Sequence, residues 1–258
     1  MSSSSSSSRP FFVGYINKLP KDIAKLILPV FALFISIFVV LSLVLSSTVE
    51  DPGNGRFRFD LGRQQLAGIL EYHPYPVLRL PAEDGNPATT LMLSGPGKRG
   101  AFKKSKGLDG EAIFTWGVFL KRGDITMLQV NGRKELEVVG ETLPEDFVPS
   151  KPLSLGKWRL AGEVCDGKCY MGAMRPGTGL AHKACANLCI AGGIPPVFAS
   201  SGDVEGSSFF LLTDKDGNAI GDRLSELVAL YIEAEGEIER LDDMTVFKMD
   251  LATVKVLP

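Results

Sequence analysis

The most constraining feature of this sequence is that two of its parts repeat each other. Three pairs of segments correspond: 66–68 with 160–162, 90–98 with 209–217, and 117–130 with 236–249. Each pair shares the same order of apolar and turn-forming residues, such as Leu-Ala-Gly at the start of a strand-like run. Self-similarity of this kind indicates duplicated structural units. The sequence therefore predicts two copies of one small domain, at residues 63–138 and 157–258, joined by a proline-rich linker at 139–156.

Each copy contains five short strand-like runs bounded by turn residues. We expect them at 64–71, 76–80, 89–94, 111–121 and 124–131 in the first copy, and at 158–165, 196–200, 208–213, 228–240 and 244–249 in the second. Residues 222–228 favour a helical turn between the third and fourth runs of the second copy. Five strands with such a turn resemble the OB-fold, a small Greek-key barrel. The resemblance implies a mostly β protein with two OB-like barrels, and fold alone implies no function.

The second copy carries an insertion. Matching segments lie 94 residues apart at the Leu-Ala-Gly motif and 119 apart at the later matches, so the second copy has about 25 extra residues. A match of Pro76-Val77 with Pro196-Val197 confines the excess to the connection between the first two strands. In OB-like barrels this connection is one of the loops that bind ligands. We therefore expect a cysteine-rich, partly helical insertion at 163–195, at the mouth of the second barrel.

All the cysteines of the chain lie in this insertion, together with one of its two histidines. Glycines at 192 and 193 and prolines at 195 and 196 predict a helix that ends there. On that helix His182, Cys185 and Cys189 share one face. The pair Asp166-Gly167 predicts a two-residue hairpin turn, which would hold two more cysteines facing the helix. The candidate disulfide or metal residues are Cys165, Cys169, Cys185 and Cys189, with His182, Met171 and Met174 as possible additional metal ligands.

Three interpretations of the insertion stay open. An even number of cysteines in an oxidising compartment favours two disulfides that staple the insertion to its barrel. Thiols with a histidine and thioethers also form a soft donor set, suited to copper, zinc or an iron–sulfur cluster. A thiolate near a cationic side chain would instead act in thiol–disulfide exchange. The cofactor is therefore either absent or a soft metal.

A basic segment at 95–107 offers a possible contact for an anionic surface through Lys98, Arg99, Lys103, Lys104 and Lys106. The net charge of −2 and the isoelectric point near 5.8 give no general attraction for nucleic acid, and we expect no nucleic-acid partner. The better interpretations are a solvated loop, or a contact with anionic lipid or an acidic partner.

Residues 26–45 form an uncharged apolar run that is long enough to span a bilayer as a helix. Four basic residues precede the run and two acidic residues follow it, so the positive-inside rule places residues 1–25 in the cytoplasm. Within that tail, the polyserine stretch at 1–9 is expected to be disordered. We expect a transmembrane helix at 26–46 and a linker at 47–62. The alternative, a cleaved signal peptide, normally has a shorter apolar region.

These features predict a single-pass protein of a bacterial inner membrane with both barrels in the periplasm. Sequence motifs of serine hydrolases and zinc proteases are missing from the chain, so an enzyme is less expected than an accessory, assembly or electron-transfer subunit of a membrane redox or respiratory complex. Protein partners in the membrane or periplasm are expected. The alternatives are a disulfide-stapled module that binds a protein, peptide or glycan, and a thiol–disulfide oxidoreductase.

Overall fold

The computed structural model of the chain describes residues 21–48, 53, 55–82, 87–123, 125–130, 136–138, 143 and 147–258. The predicted polyserine tail lies outside the described residues. The chain divides into an N-terminal unit, residues 1–51, and a larger unit, residues 52–258. The described part of the larger unit consists mostly of strands, which confirms the predicted mostly β class.

The described part of the N-terminal unit is one α-helix, α1, which spans Lys21–Thr48. Its segment Ile23–Val44 is long and apolar enough to cross a membrane, and is compatible with an anchor or with a signal sequence. Lys21, Asp22 and Lys25, which precede the apolar run, already adopt helical backbone, since lysine and the neighbouring alanine are good helix formers. Pro29 consequently lies inside the helix, and not in its first turn.

The elements of the first barrel are β1 (Arg56–Phe57), β2 (Gln64–Glu71), β3 (Val77–Leu80), β4 (Thr89–Ser94), α2 (Phe102–Ser105), β5 (Ala112–Arg122), β6 (Ile125–Val130) and β7 (Leu136–Val138). Five strands pair in the order β2–β3–β4–β6–β5, and β5 returns to β2, so the barrel is closed. Strands β4 and β6 are parallel, whereas the other neighbours in the barrel are antiparallel. Two short strands, β1 and β7, pair with β5 outside the closed path.

The elements of the second barrel are β8 (Leu153–Asp166), β9 (Pro196–Val204), β10 (Ser207–Asp214), β11 (Tyr231–Leu241), β12 (Met244–Met249) and β13 (Lys255–Val256). The pairing order β8–β9–β10–β12–β11, with β11 returning to β8, is that of the first barrel, and β10 and β12 are again parallel. A 3-10 helix at Gly221–Leu224 confirms the predicted helical turn. The prediction of two five-stranded barrels is confirmed.

The repeated Leu-Ala-Gly motif has a steric explanation in the barrels. A Cβ atom on Gly68 would lie 2.4 Å from the carbonyl oxygen of Arg79, and one on Gly162 would lie 2.2 Å from that of Ala199. Both glycines therefore occupy equivalent points at which adjacent strands approach too closely for any side chain. Glycine within a strand commonly marks such a tight bend of a small barrel.

Three clusters of buried apolar side chains form the core of the larger unit. Aliphatic side chains, among them Leu70, Leu78 and Leu91, fill the first barrel, and the second is centred on Phe198, Phe210 and Phe247. The third cluster joins the barrels and includes side chains from the first barrel, from the second and from the insertion: Met92, Met127, Val197, Phe209, Cys169, Met171 and Cys189. The insertion is therefore part of the core that joins the barrels. Each large apolar side chain buried there contributes about 1.5–3 kcal/mol to stability.

Polar side chains also connect the two barrels. Arg79 is only 1% exposed, and its guanidinium donates to Asp242 Oδ2 at 2.6 Å and to Glu71 Oε1 at 2.7 Å. Thr90 Oγ1 donates to the same Asp242 oxygen at 2.8 Å, and the backbone N–H of Thr90 donates to Asp243 Oδ1 at 2.7 Å. The turn between β11 and β12 is thus fastened to the first barrel by a buried network of hydrogen bonds and charges.

Candidate metal centre

The extra residues of the second copy lie where the repeat predicts them. In the first barrel, Glu71 at the end of β2 pairs with Val77 at the start of β3, and residues 72–76 connect the two strands. In the second barrel Asp166 pairs with Pro196, and the insertion runs through 167–195. It does not stand alone at the barrel mouth, because it packs against the first barrel. The backbone N–H of Gly100, in the loop after β4, donates to the carbonyl of Gly192 at 2.9 Å.

The start of the insertion is helical, and the predicted Asp166-Gly167 hairpin turn is wrong. Strand β8 continues through Asp166, and a π-helix at Cys169–Ala173 follows. Asp166 Oδ1 accepts the backbone N–H of Cys169 at 2.8 Å, as a helix-capping carboxylate does, and the Gly167 N–H donates to Pro195 O at 2.9 Å. These two bonds direct the chain into a helix instead of back into a strand.

The end of the insertion is the predicted helix. Helix α3 spans Lys183–Ala191, after a short 3-10 turn at Leu180–His182. The N–H of Gly192 donates to Leu188 O at 3.0 Å, and Gly193 has a positive φ of 89°, a backbone conformation that glycine adopts without strain. Both glycines terminate the helix as predicted.

Three cysteine sulfurs converge between the π-helix and α3. Cys169 Sγ lies 4.0 Å from Cys185 Sγ and 3.9 Å from Cys189 Sγ. All three sulfurs lie within 4.8 Å of one another. Cys169 and Cys189 are buried, whereas Cys185 is partly exposed to solvent. We call these three residues the thiol cluster.

The predicted disulfides are unsupported. All four cysteines are free, and the sulfur separations in the thiol cluster are about twice the ~2.05 Å of a disulfide bond. The fourth cysteine, Cys165, stands apart on β8, with its sulfur 3.5 Å from Glu163 Oε1. Burial and the neighbouring Glu163 carboxylate raise the pKa of Cys165 well above its usual value. Cys165 therefore remains a protonated thiol within the core.

The two sulfurs of Cys169 and Cys189 have unequal proton affinities. Their mutual hydrogen bond raises the pKa of Cys169 and lowers the pKa of Cys189, which also lies near the ammonium group of Lys98. Cys189 is accordingly the first of the two to become a thiolate, stabilised by the hydrogen bond that it shares with Cys169. Negative charge on sulfur favours the binding of a cation at this cluster.

Lys98 is the nearest cationic group to the thiol cluster. Its ammonium donates a hydrogen bond to Cys185 Sγ and lies 3.8 Å from Cys189 Sγ. The bond to Cys185 raises the pKa of Lys98. The structure places the charge of Lys98 against sulfur, and its predicted contact with an anionic surface stays a prediction. Of the other four basic residues, Arg99, Lys103 and Lys106 are exposed, while Lys104 Nζ donates to Val130 O at 3.4 Å.

A second lysine, Lys168, was not recognised from the sequence. It is 3% exposed, and its ammonium donates to the carbonyl oxygens of Gly95 and Gly97 at 2.6 and 2.9 Å. Burial lowers the pKa of Lys168 to about 8, against the attraction of the Cys189 and Cys169 sulfurs. The same loop of the first barrel that carries Lys98 thus also receives Lys168 from the insertion.

The three residues predicted as additional metal ligands lie in different surroundings. His182 is buried, and its Nε2 pairs with Asp166 Oδ2 at 3.0 Å. Donor atoms of Asp166, Cys169 and His182 lie within 4.8 Å of one another, so this pair borders the thiol cluster. Met174 is 45% exposed, and its Sδ lies 3.5 Å from Cys185 Sγ. Met171 is fully buried in the core between the barrels.

Asp166 is the other residue of the candidate site that the sequence did not reveal. Its two oxygens position both Cys169, through the backbone N–H, and His182, through the ring. The sequence signal that could have identified Asp166 and Lys168 is that both fall between two cysteines, Cys165 and Cys169. Comparisons with known protein families, curated proteins and solved structures found no match, and the function is therefore inferred from this geometry.

Proposed function

We propose that this protein is a membrane-anchored accessory subunit that binds a soft metal ion between Cys169, Cys185 and Cys189 and serves the assembly or operation of a membrane redox complex. The single observation that carries the proposal is the convergence of three free thiols on one point. Cysteine sulfur is the preferred donor for soft metals such as copper(I), and also for zinc and iron–sulfur clusters.

The spacing of the sulfurs fits a metal ion. In a tetrahedral site with metal–sulfur bonds of about 2.3 Å, two sulfurs lie about 3.8 Å apart. The distances of 3.9 and 4.0 Å from Cys169 match that edge. An ion could enter with little movement of the side chains, since the π-helix and α3 already hold the three sulfurs together.

The surroundings of the thiol cluster also support a metal site. Lys98 donates to Cys185, which offsets the charge of coordinated thiolates and resembles the outer hydrogen bonds that metal ligands commonly receive. Asp166 fixes the backbone of Cys169 at 2.8 Å. Both groups are available in addition to the three ligands, so neither has to leave its partner when the ion binds.

The membrane placement is part of the proposal. The helix α1 contains one segment that is long and apolar enough to cross a membrane. Basic residues lie before the segment and acidic residues after it, which favours a cytoplasmic N-terminus and barrels on the outer face of a bacterial inner membrane. A tethered protein with an outward-facing soft-metal site suits the supply or retention of a metal for a membrane-bound enzyme complex.

A metal-binding assay with matched cysteine variants tests the proposal. The full chain, reduced and anaerobic in detergent, is loaded with zinc(II) or copper(I) and analysed by native mass spectrometry. We expect one ion per chain, and we expect Cys169→Ser, Cys185→Ser and Cys189→Ser each to weaken binding at least tenfold. Cys165→Ser is the matched control and should bind like the wild type, because Cys165 lies outside the thiol cluster.

The second candidate function is thiol–disulfide exchange, favoured by the unequal pKa values of Cys169 and Cys189. It predicts that mild oxidation joins Cys169 to Cys189 reversibly, and that the reduced chain retains no metal after desalting. That pair of results would replace the metal proposal. A loss of metal binding in Cys165→Ser as large as that in the three thiol-cluster variants would also count against the metal proposal.

A further inference from the structure

The thiol cluster supplies three donors, and the identity of the fourth decides which metal it prefers. Building on the proposed function, we infer that the ion is copper(I) and that Met174 provides the fourth, thioether ligand. Met174 Sδ lies 3.5 Å from Cys185 Sγ, about the distance between two ligands of one ion. Met174 therefore lies at the edge of the cluster, beside its partly exposed member.

The other nearby donors are less suitable as the fourth ligand. A ring nitrogen of His182 lies within 4.8 Å of Cys169 Sγ but not of all three cluster sulfurs, and His182 Nε2 is paired with the fully buried carboxylate of Asp166 at 3.0 Å. The Lys98 ammonium has no lone pair while it is protonated, and it hydrogen-bonds to Cys185. Cys165 Sγ lies against Glu163 on β8.

A thioether changes the selectivity of the site. Methionine sulfur is a soft, neutral donor that suits copper(I), whereas zinc sites in proteins use cysteine, histidine and carboxylate ligands. Three thiolates and one thioether therefore favour copper(I) over zinc(II). On binding, each coordinating cysteine releases its thiol proton to solvent, and copper remains in the +1 state, so that no oxidant or reductant is consumed.

A cationic group lies beside the sulfurs. The Lys98 ammonium donates to Cys185 Sγ and lies 3.8 Å from Cys189 Sγ. Its charge offsets part of the negative charge that three thiolates and copper(I) would place in a largely buried site.

The test compares two methionines of the same short segment. Met174→Leu removes the thioether from a partly exposed position, and Met171→Leu, in the buried core, is the matched control because Leu and Met have similar volumes. The affinity of the full chain for copper(I) is measured by competition with bathocuproine disulfonate, and that for zinc(II) by competition with a chromophoric chelator. Melting temperatures verify that both variants fold.

We expect Met174→Leu to weaken copper(I) binding about tenfold and to leave zinc(II) binding unchanged, with Met171→Leu like the wild type for both. Copper(I) affinity that is unchanged in Met174→Leu overturns the inference while the three-thiol site stands. Failure of the wild type to bind either metal overturns the proposed function itself. A zinc(II) affinity reduced as much as that for copper(I) would also refute the assignment, since it would indicate a general loss of the site.

Discussion

The network between the barrels predicts a large loss of stability when Asp242 is replaced by alanine. Asp242 accepts hydrogen bonds from Arg79, Thr90 and Ser150, and its side chain is only 3% exposed. The substitution leaves the Arg79 guanidinium buried with Glu71 as its remaining carboxylate, at 2.7 Å. Removing one member of a buried ion pair costs about 3–5 kcal/mol. Because Glu71 remains, we expect the lower end of this range, about 3 kcal/mol.

Thermal unfolding of the full chain in detergent, followed by circular dichroism, measures this loss. For a unit of this size, about 3 kcal/mol corresponds to a decrease in melting temperature of about 6–12 °C. The matched control is Asp60→Ala, which breaks an exposed Arg58–Asp60 ion pair and should leave the melting temperature unchanged within error. The double variant Arg79→Met, Asp242→Leu should recover much of the stability, because replacing a buried ion pair by apolar side chains is often neutral.

A decrease of less than about 2 °C for Asp242→Ala would refute this reasoning, since it would correspond to less than about 1 kcal/mol in a unit of this size. It would show that the network contributes little to the association of the barrels. A failure of the double variant to recover, with Asp242→Ala strongly destabilised, would instead show that the individual polar contacts stabilise the interface beyond the removal of a stranded charge.

Three further predictions concern Asp242, Lys98 and Gly100. Burial opposes ionisation of Asp242, but hydrogen bonds from its partners outweigh burial and hold its pKa below the usual value. The resulting stabilisation is present above about pH 4 and is lost as the pH falls through the lowered pKa. The difference in melting temperature between wild type and Asp242→Ala should therefore shrink below about pH 4, and a difference that stays constant with pH would contradict this prediction. Lys98→Met should weaken metal binding several-fold at unchanged stoichiometry, with Lys103→Met, an exposed residue, as the control; equal affinities in both variants would remove Lys98 from the site. A Cβ on Gly100 would lie 1.8 Å from a backbone carbonyl of the insertion, so Gly100→Ala should lower both the melting temperature and the metal affinity, whereas Gly202→Ala, in open space, should change neither; a neutral Gly100→Ala would show that this contact is dispensable.

The barrels and the place of the insertion were predictable from the sequence because they depend on local pattern and on the repeat. Matching glycines such as Gly68 and Gly162 recur since each barrel requires the same close approach of strands. The excess residues between the first two strands of the second copy were therefore evident from spacing alone. Helix α3 was predictable because Gly192 and Gly193 end it within a few residues.

The composition of the site was only partly predictable, because it depends on contacts between distant segments. Lys98 belongs to the first barrel and reaches Cys185 across 87 positions of the chain, a contact that no local pattern encodes. The Asp-Gly pair at 166–167 was misread as a hairpin turn because the Asp166 carboxylate binds the Cys169 N–H instead. The chain enters a helix at this point while Cys165 stays on β8, so three thiols form the cluster where four were expected.

X-ray absorption spectroscopy of the metal-loaded full chain tests the central claim most directly, because it counts the sulfur atoms bound to the ion. The structure predicts a first shell dominated by three or four sulfurs at about 2.3 Å, unchanged in Cys165→Ser and reduced by one sulfur in Cys189→Ser. A first shell composed only of nitrogen and oxygen at about 2.0–2.2 Å would contradict the account, since the ion would then lie outside the thiol cluster.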